Sequence, residues 1–291
     1  MIGRWLNRIL IANIVVQSGI IATGAVVRVS GSGLGCPSWP QCTQGSYIPT
    51  VHQEESWHKW VEYGNRTLTG VLLVVAIAVA SGVWLHTRNR TNRLFALAPL
   101  ILTLGQAILG GITVLTGLNP VTVASHFILS TIIVWLSVHL WWRVRGNTVT
   151  TKIARNVVNA RFLLASAAVV VVLGVLTTGS GPHSGDSDAE ARFPFDPSLL
   201  ARIHALSVGL LLYALWRCWK SVKNLEVSRN KYLVVVAIVA AQAVVGNVQY
   251  LIGLPAALVA VHVTLAASFW ATTNVFYAEL MRPEGAQSPN Q

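Results

Sequence analysis

Apolar residues dominate this chain in long stretches broken by short polar segments, and the stretches match the roughly 20 residues a helix needs to cross a hydrocarbon core of ~30 Å. The pattern predicts eight helices, at about 9–29, 63–86, 94–115, 122–142, 162–179, 199–217, 232–252 and 257–280. The expected fold class is all-α, a polytopic membrane protein. The first apolar run follows Arg4 and Arg8 and shows no small-residue cleavage site, so it is expected to be a retained helix. On one side, residues 30–61 and 180–198 form long loops rich in Gly, Pro, Ser and Asp, whereas 116–121 and 253–256 are tight turns. Long loops in a compact bundle usually carry function. Residues 282–291 are polar and expected to be a disordered tail.

One stretch of the pattern occurs twice. GQAILGGITVLTGLNPVTVASHF (105–127) aligns without a gap on AQAVVGNVQYLIGLPAALVAVHV (241–263), with nine of twenty-three positions identical. Gln106 pairs with Gln242, Gly110 with Gly246, Gly117-Leu118 with Gly253-Leu254, and His126 with His262. Apolar composition alone would not place Gln, Gly and His in one register. The match extends to Thr23-Gly24 and Thr178-Gly179 at the ends of helices 1 and 5, and to Gly70 and Gly209 on helices 2 and 6. Under that alignment Asn65 corresponds to His204 and Glu62 to Ala201. The chain is therefore expected to be two parallel four-helix-bundle repeats, residues 1–145 and 146–281, related by an axis along the membrane normal.

Composition agrees with a membrane protein: 53% hydrophobic, 11% charged, mean hydropathy +0.57. The net charge of +11 would fit nucleic acid, but its distribution does not. Sixteen of the 21 basic residues fall at segments on one side of the eight helices, from Arg4 and Arg8 to Arg282. Arg28, Lys59, Arg66, Arg192 and Arg202 lie on the other, with seven of the ten acids. That bias is the positive-inside signal. It places both termini in the cytoplasm and leaves no nucleic-acid partner to explain.

The chemistry-bearing residues share one depth. His126, His204 and His262 each lie about a turn to a turn and a half inside the outer end of a helix, and Asn65 occupies the fourth equivalent position. Polar residues inside a membrane bundle are costly and mostly functional. Facing histidines in a four-helix bundle are a way to hold a haem iron. A single intramembrane histidine often does no more than hydrogen-bond a neighbouring helix. Three at one depth, two related by a repeat, weigh against that. His139 has no repeat partner and is taken as structural, and His86 as solvated. His52, His58 and His183 lie in outer loops, where solvated and gating roles are both open.

The halves differ in their candidates. His204 and His262 would saturate an iron axially, giving an electron-transfer haem. His126 opposite Asn65 would ligate on one side only. Glu62, three residues before Asn65 and on the same helical face, supplies a carboxylate beside that open face, as proton-coupled oxidation needs. Pairing with Arg66 is its blander role. Arg28, Arg66 and Arg202, at outer helix ends, are candidates for haem propionates, with interfacial snorkelling the alternative. Cys36 and Cys42, in GSGLGCPSWPQC (31–42), are expected to form a structural disulfide on the outer side, while Cys218 is expected to be inert.

These features together resemble a known family. Eight helices in two halves, RVSGSGLGCPSWPQC after helix 1, the E-x-x-x-R opening of helix 2 and histidines on helices 4, 6 and 8 are similar to haem A synthases, especially the form in Gram-positive bacteria. The resemblance covers the chain to about residue 280. It implies a haem b cofactor on His204 and His262, haem O as substrate at His126, Glu62 as the catalytic carboxylate, and Cys36 and Cys42 as the loop cysteines. It implies oxidation of the C8 methyl of haem O to a formyl group by successive hydroxylations, for the haem A of cytochrome oxidase. It further implies residence in the bacterial plasma membrane, haem O synthase as the supplying partner, and an electron donor of unassigned identity. Many members carry His where this chain has Asn65, so one-sided ligation of the first-half haem is expected here.

Two other classes compete. A dihaem b-type electron carrier or quinone-linked oxidoreductase shares the histidines but predicts two similar sites, against the Glu62/Ala201 and Asn65/His204 differences. A parallel-repeat transporter would show helices broken near mid-membrane.

Overall fold

The computed structural model of the chain describes residues 3–146, 155–183, 185–187, 189, 191–224 and 226–281. The polar tail 282–291, with Arg282, and Lys152 lie outside them. The described residues form eight helices: α1 (Arg4–Val29), α2 (His58–His86), α3 (Arg90–Leu115), α4 (Pro120–Val144), α5 (Arg155–Ser180), α6 (Pro197–Val222), α7 (Glu226–Leu251) and α8 (Ala256–Leu280). All eight are long and apolar enough to cross a membrane. Among the described residues there is no strand, only an isolated bridge between Thr43 and Ser46.

Several helices start earlier than the hydropathy pattern indicates. α2 begins at His58 and not near 63, α5 at Arg155 and not near 162, and α7 at Glu226 and not near 232. Hydropathy marks where a helix enters hydrocarbon, whereas backbone hydrogen bonding continues through the charged flanks. Local signals do set some ends. Asn89, Asn119 and Asp196 each accept a hydrogen bond from the first turn of the helix that follows, and Pro120 and Pro197 open α4 and α6.

The first four helices close a ring in which α1 packs on α2, α2 on α3, α3 on α4 and α4 on α1. The last four close a ring in the same cyclic order. The rings meet along α1–α8, α4–α8 and α4–α5. The α3–α4 and α7–α8 turns have the same build. Gly117-Leu118 and Gly253-Leu254 adopt positive φ, and Leu118 N and Leu254 N bond back to Thr113 O and Gln249 O, at 2.9 and 2.7 Å. A left-handed Leu is strained. Leu118 is held there by burial, packed against Gly33 and Gly185 of the two long loops.

Packing leaves one end of the bundle for chemistry. The face where the first turn of α1, the last turn of α8, Arg88–Arg93 and Arg217–Lys223 gather is called here the basic face, and the opposite one the loop face. The apolar cores fill the half nearer the basic face: Leu6, Leu10, Val79, Val83, Ala96 and Leu140 in the first ring, and Leu163, Leu211, Leu215, Val235 and Phe276 in the second. Nearer the loop face, the corresponding positions carry histidine, asparagine and glycine.

Candidate functional site

The second ring brings two of its histidines together. His204 of α6 and His262 of α8 have ring centroids 6.4 Å apart and planes at 79°. An iron between two imidazoles, with Fe–N of about 2 Å on each side, calls for centroids about 6 Å apart. The spacing fits. The Nδ1 atoms of His126 and His262 are buried without a hydrogen-bond partner. Among the described residues no three His, Cys, Asp or Glu converge on one point. A pair of histidines suits an iron whose remaining ligands come from a macrocycle.

Each of these histidines rests against a glycine of the preceding helix. A Cβ added at Gly246 would come 3.0 Å from Cε1 of His262, at Gly174 3.2 Å from Cε1 of His204, and at Gly110 3.3 Å from Cε1 of His126. Alanine at any of them would push the ring by a few tenths of an ångström, because packed interiors have no slack. The Thr23/Thr178 register places Gly19 opposite Gly174. Apart from its chain neighbours and the backbone of α1 itself, nothing lies within 4 Å of a Cβ added at Gly19. Here residue 65 is the shorter Asn, and Thr23 Oγ1 donates to Asn65 Oδ1 at 2.7 Å. The amide therefore turns along α1, and its Nδ2 remains a donor. Gly246 and Gly110 were visible as repeat landmarks, but their role beneath the histidines was not. Gly19 and Gly174 give no signal until the helices are packed.

Glu62 is 5% exposed, and both its oxygens are engaged. Oε1 accepts from Arg66 Nε at 2.9 Å and Nη2 at 2.5 Å, and Oε2 accepts from the Cys36 backbone N–H at 2.6 Å. The rest of the Arg66 guanidinium donates to the carbonyls of Cys36, Ser38 and Gln41. Glu62 and Arg66 thus clasp the loop at both ends of the Cys36–Cys42 disulfide, whose sulfurs are buried. Lys59 Nζ donates to Thr50 O and Gln53 O, Gln53 Nε2 to Gly35 O, and His58 Nδ1 pairs with Ser32 Oγ. Trp39, between the cysteines, lies against Gly111 of α3, the residue after the glycine that seats His126. The loop is a fixed cover on the first ring.

The other candidates divide. All five guanidinium hydrogens of Arg66 go to the clasp. Arg28 donates to His183 O at 2.7 Å and Thr178 O at 3.0 Å, tying the end of α1 to the second ring. His183 Nε2 in turn pairs with Leu254 O at 2.8 Å, a structural tie between loops. Arg202 is exposed, two residues before His204, and makes no hydrogen bond or ion pair among the described residues. His139 stands among Phe95, Trp135 and Trp142 near the basic face, away from the other histidines. Cys218 is a buried free thiol.

Comparison with known proteins follows the same lines. A heme A synthase of Listeria monocytogenes serotype 4a is 27% identical over 256 residues, which span 81% of this chain and 82% of that protein. The heme A synthase of Listeria innocua serovar 6a matches to the same extent. That of Geobacillus kaustophilus is 32% identical over 108 residues, 37% of this chain and about a third (32%) of that relative's length. Residues 7–193, from the first turn of α1 to the loop before α6, match the cytochrome oxidase assembly proteins of the COX15-CtaA type. With that match over more than half of its length, the chain belongs to the COX15-CtaA family of cytochrome oxidase assembly proteins.

Proposed function

We propose that this membrane protein is a haem A synthase that oxidises the C8 methyl of haem O to a formyl group by successive hydroxylations. The reading is supported by the family and by one observation above all: a facing pair, His204 and His262, in the second ring, where the first has His126 and an Asn65 turned toward Thr23. On this reading the two four-helix halves are parallel repeats that have diverged, 1–145 into a substrate half and 146–281 into a cofactor half. The basic face is cytoplasmic, as the positive-inside bias indicates.

In the cofactor half His204 and His262 would hold haem b, which would supply one-electron transfer when bound. The seats at Gly174 and Gly246 fix where the imidazoles point, and Arg202 is placed for a propionate. In the substrate half His126 holds the iron of haem O from one side. Asn65 Nδ2 offers a hydrogen bond to the oxygen being introduced. Glu62 lies one turn from Asn65, where a carboxylate can take or return the protons each hydroxylation moves. The disulfide loop keeps bulk water off that end, which strengthens every charge interaction beneath it. Haem O synthase supplies the substrate, and a redox partner completes the electron balance.

The test is the haem content of the purified protein made in cells that produce haem O but no haem A. Extraction and mass analysis should find haem b together with a formyl-bearing haem. Haem b alone, at two equivalents with matching spectra, would make the protein a dihaem electron carrier.

A further inference from the structure

The two rings differ most where α6 meets α7. That seam is shorter than its counterpart between α2 and α3, and two side chains account for the difference. The register that pairs Glu62 with Ala201 places Trp219 at the position of Ala80. The register that pairs His126 with His262 places Tyr232 at that of Ala96. Ala80 and Ala96 are buried, and small residues let two membrane helices come close. Trp219 and Tyr232 instead meet ring to ring, with centroids 5.3 Å apart, and Phe276 backs Tyr232 at 5.8 Å. The aromatic pair wedges α6 from α7 near the basic face.

From the wedge toward the loop face runs a cleft of about 430 Å³, within the range of small-ligand sites, roughly 300–1,000 Å³. Leu215 and Val239 are its buried floor, and Leu212 and Leu233 stand exposed at its rim. Along α6 it extends from Trp219 to Val208, about 16 Å at a rise of 1.5 Å per residue. Half of a hydrocarbon core of ~30 Å is about 15 Å, the depth that one leaflet's acyl chains occupy. The cleft has the length of one chain and opens sideways, where the chains are.

Its basic-face mouth carries charge. Lys220 and Lys223 follow Trp216 and Trp219 at helical spacing on α6, and Arg229 precedes Leu233 and Val236 in the same way on α7. All three are exposed. Lys220 Nζ lies 3.8 Å from the centroid of the Trp216 ring. Among the described residues none of the three cations has a carboxylate partner, whereas the neighbouring Lys231 is paired with Glu279. The first ring lacks such a mouth. Ser81 and Trp84 stand at the positions of Lys220 and Lys223, and Arg93, at that of Arg229, donates to the carbonyls of Thr87 and Trp84. Bulk lipid covers any apolar helix face, but that cover calls for neither a wedge nor three free cations at the end of a groove.

We infer that the α6–α7 cleft binds one anionic phospholipid, with an acyl chain in the groove and the phosphate on Lys220, Lys223 and Arg229. Trp216, Trp219 and Tyr232 lie between the two parts, at the level where aromatic side chains gather at a membrane interface. Lysine and arginine beside the cytoplasmic leaflet attract anionic headgroups. The lipid supplies packing that α6 and α7 do not give each other, and these helices carry His204 and the Gly246 seat of His262. The inference does not depend on what those histidines hold.

The experiment is native mass spectrometry of the full-length protein, purified from its membrane in nonionic detergent. Phosphatidylglycerol and phosphatidylcholine with the same acyl chains are then titrated in. One phosphatidylglycerol should be retained in preference to phosphatidylcholine, and the preference should fall roughly fivefold with each of Lys220→Gln, Lys223→Gln and Arg229→Gln. Arg4→Gln, Arg8→Gln and Arg88→Gln together remove as much charge from the same face and should leave it unchanged. Ala240→Trp, which fills the cleft and keeps every cation, should weaken retention as well. Equal retention of the two lipids, or the same loss in the Arg4/Arg8/Arg88 variant, would overturn the inference. So would a retained mass that belongs to a peptide or an uncharged lipid.

Discussion

Replacing His204 or His262 with Ala should abolish the low-spin spectrum of the haem proposed for the second half, whereas His139→Ala should leave it almost unchanged. The two rings face each other 6.4 Å apart from α6 and α8, and each rests on a glycine that fixes its direction. Removing one imidazole would leave the iron a single protein ligand, and among the described residues no group of three His, Cys, Asp or Glu converges to replace it. Altering groups that only support a metal ligand typically costs about 10–100-fold in affinity, so loss of the ligand itself should cost at least as much. His139 is similar in chemistry but is packed among Phe95, Trp135 and Trp142 at the other end of the bundle. Reduced-minus-oxidised spectra of the three variants make the comparison. A His204→Ala/His262→Ala protein with undiminished low-spin haem would end the assignment.

Glu62→Gln should still bind haem O and yet lose about 10²–10⁴ in the rate of haem A formation, as removal of a positioned acid or base does. The clasp complicates the comparison, because Glu62 also accepts the Cys36 N–H and the Arg66 fork. Arg66→Gln separates the two roles. It strips the loop carbonyls of Cys36, Ser38 and Gln41 of their donor but keeps the carboxylate. If Glu62 moves protons, Glu62→Gln is far slower than Arg66→Gln, although both loosen the cover. If Glu62 is only the anchor of the loop, both variants lose the same activity and the same thermal stability. Single-turnover conversion of bound haem O, measured with the melting temperature of each variant, distinguishes the outcomes.

Helix number was legible in the sequence because hydrocarbon thickness dictates apolar runs of one length. The pairing of His126 with His262 was legible because Gln, Gly and His recur in register, and the structure adds the matching Gly-Leu turns. The approach of His204 to His262 follows from a ring order that one chain does not spell out. Three features were invisible until the helices were packed. The glycine seats depend on which helix faces which. The clasp depends on Arg66 reaching carbonyls 25 to 30 residues away. The buried bond from Asn13 to Ser137 joins residues 124 positions apart, and each of them alone reads as an ordinary polar residue in a membrane helix.

The two halves should hold haem differently, because Asn65 stands where the second half has His204. Titrating haem O into the purified protein while following the spin state of the added haem reads the difference. A single additional equivalent is expected, high-spin, with one strong protein ligand at His126. Asn65→His should convert that equivalent to low-spin. A wild-type protein whose added haem is six-coordinate and low-spin, indistinguishable from the haem on His204 and His262, would rule this out.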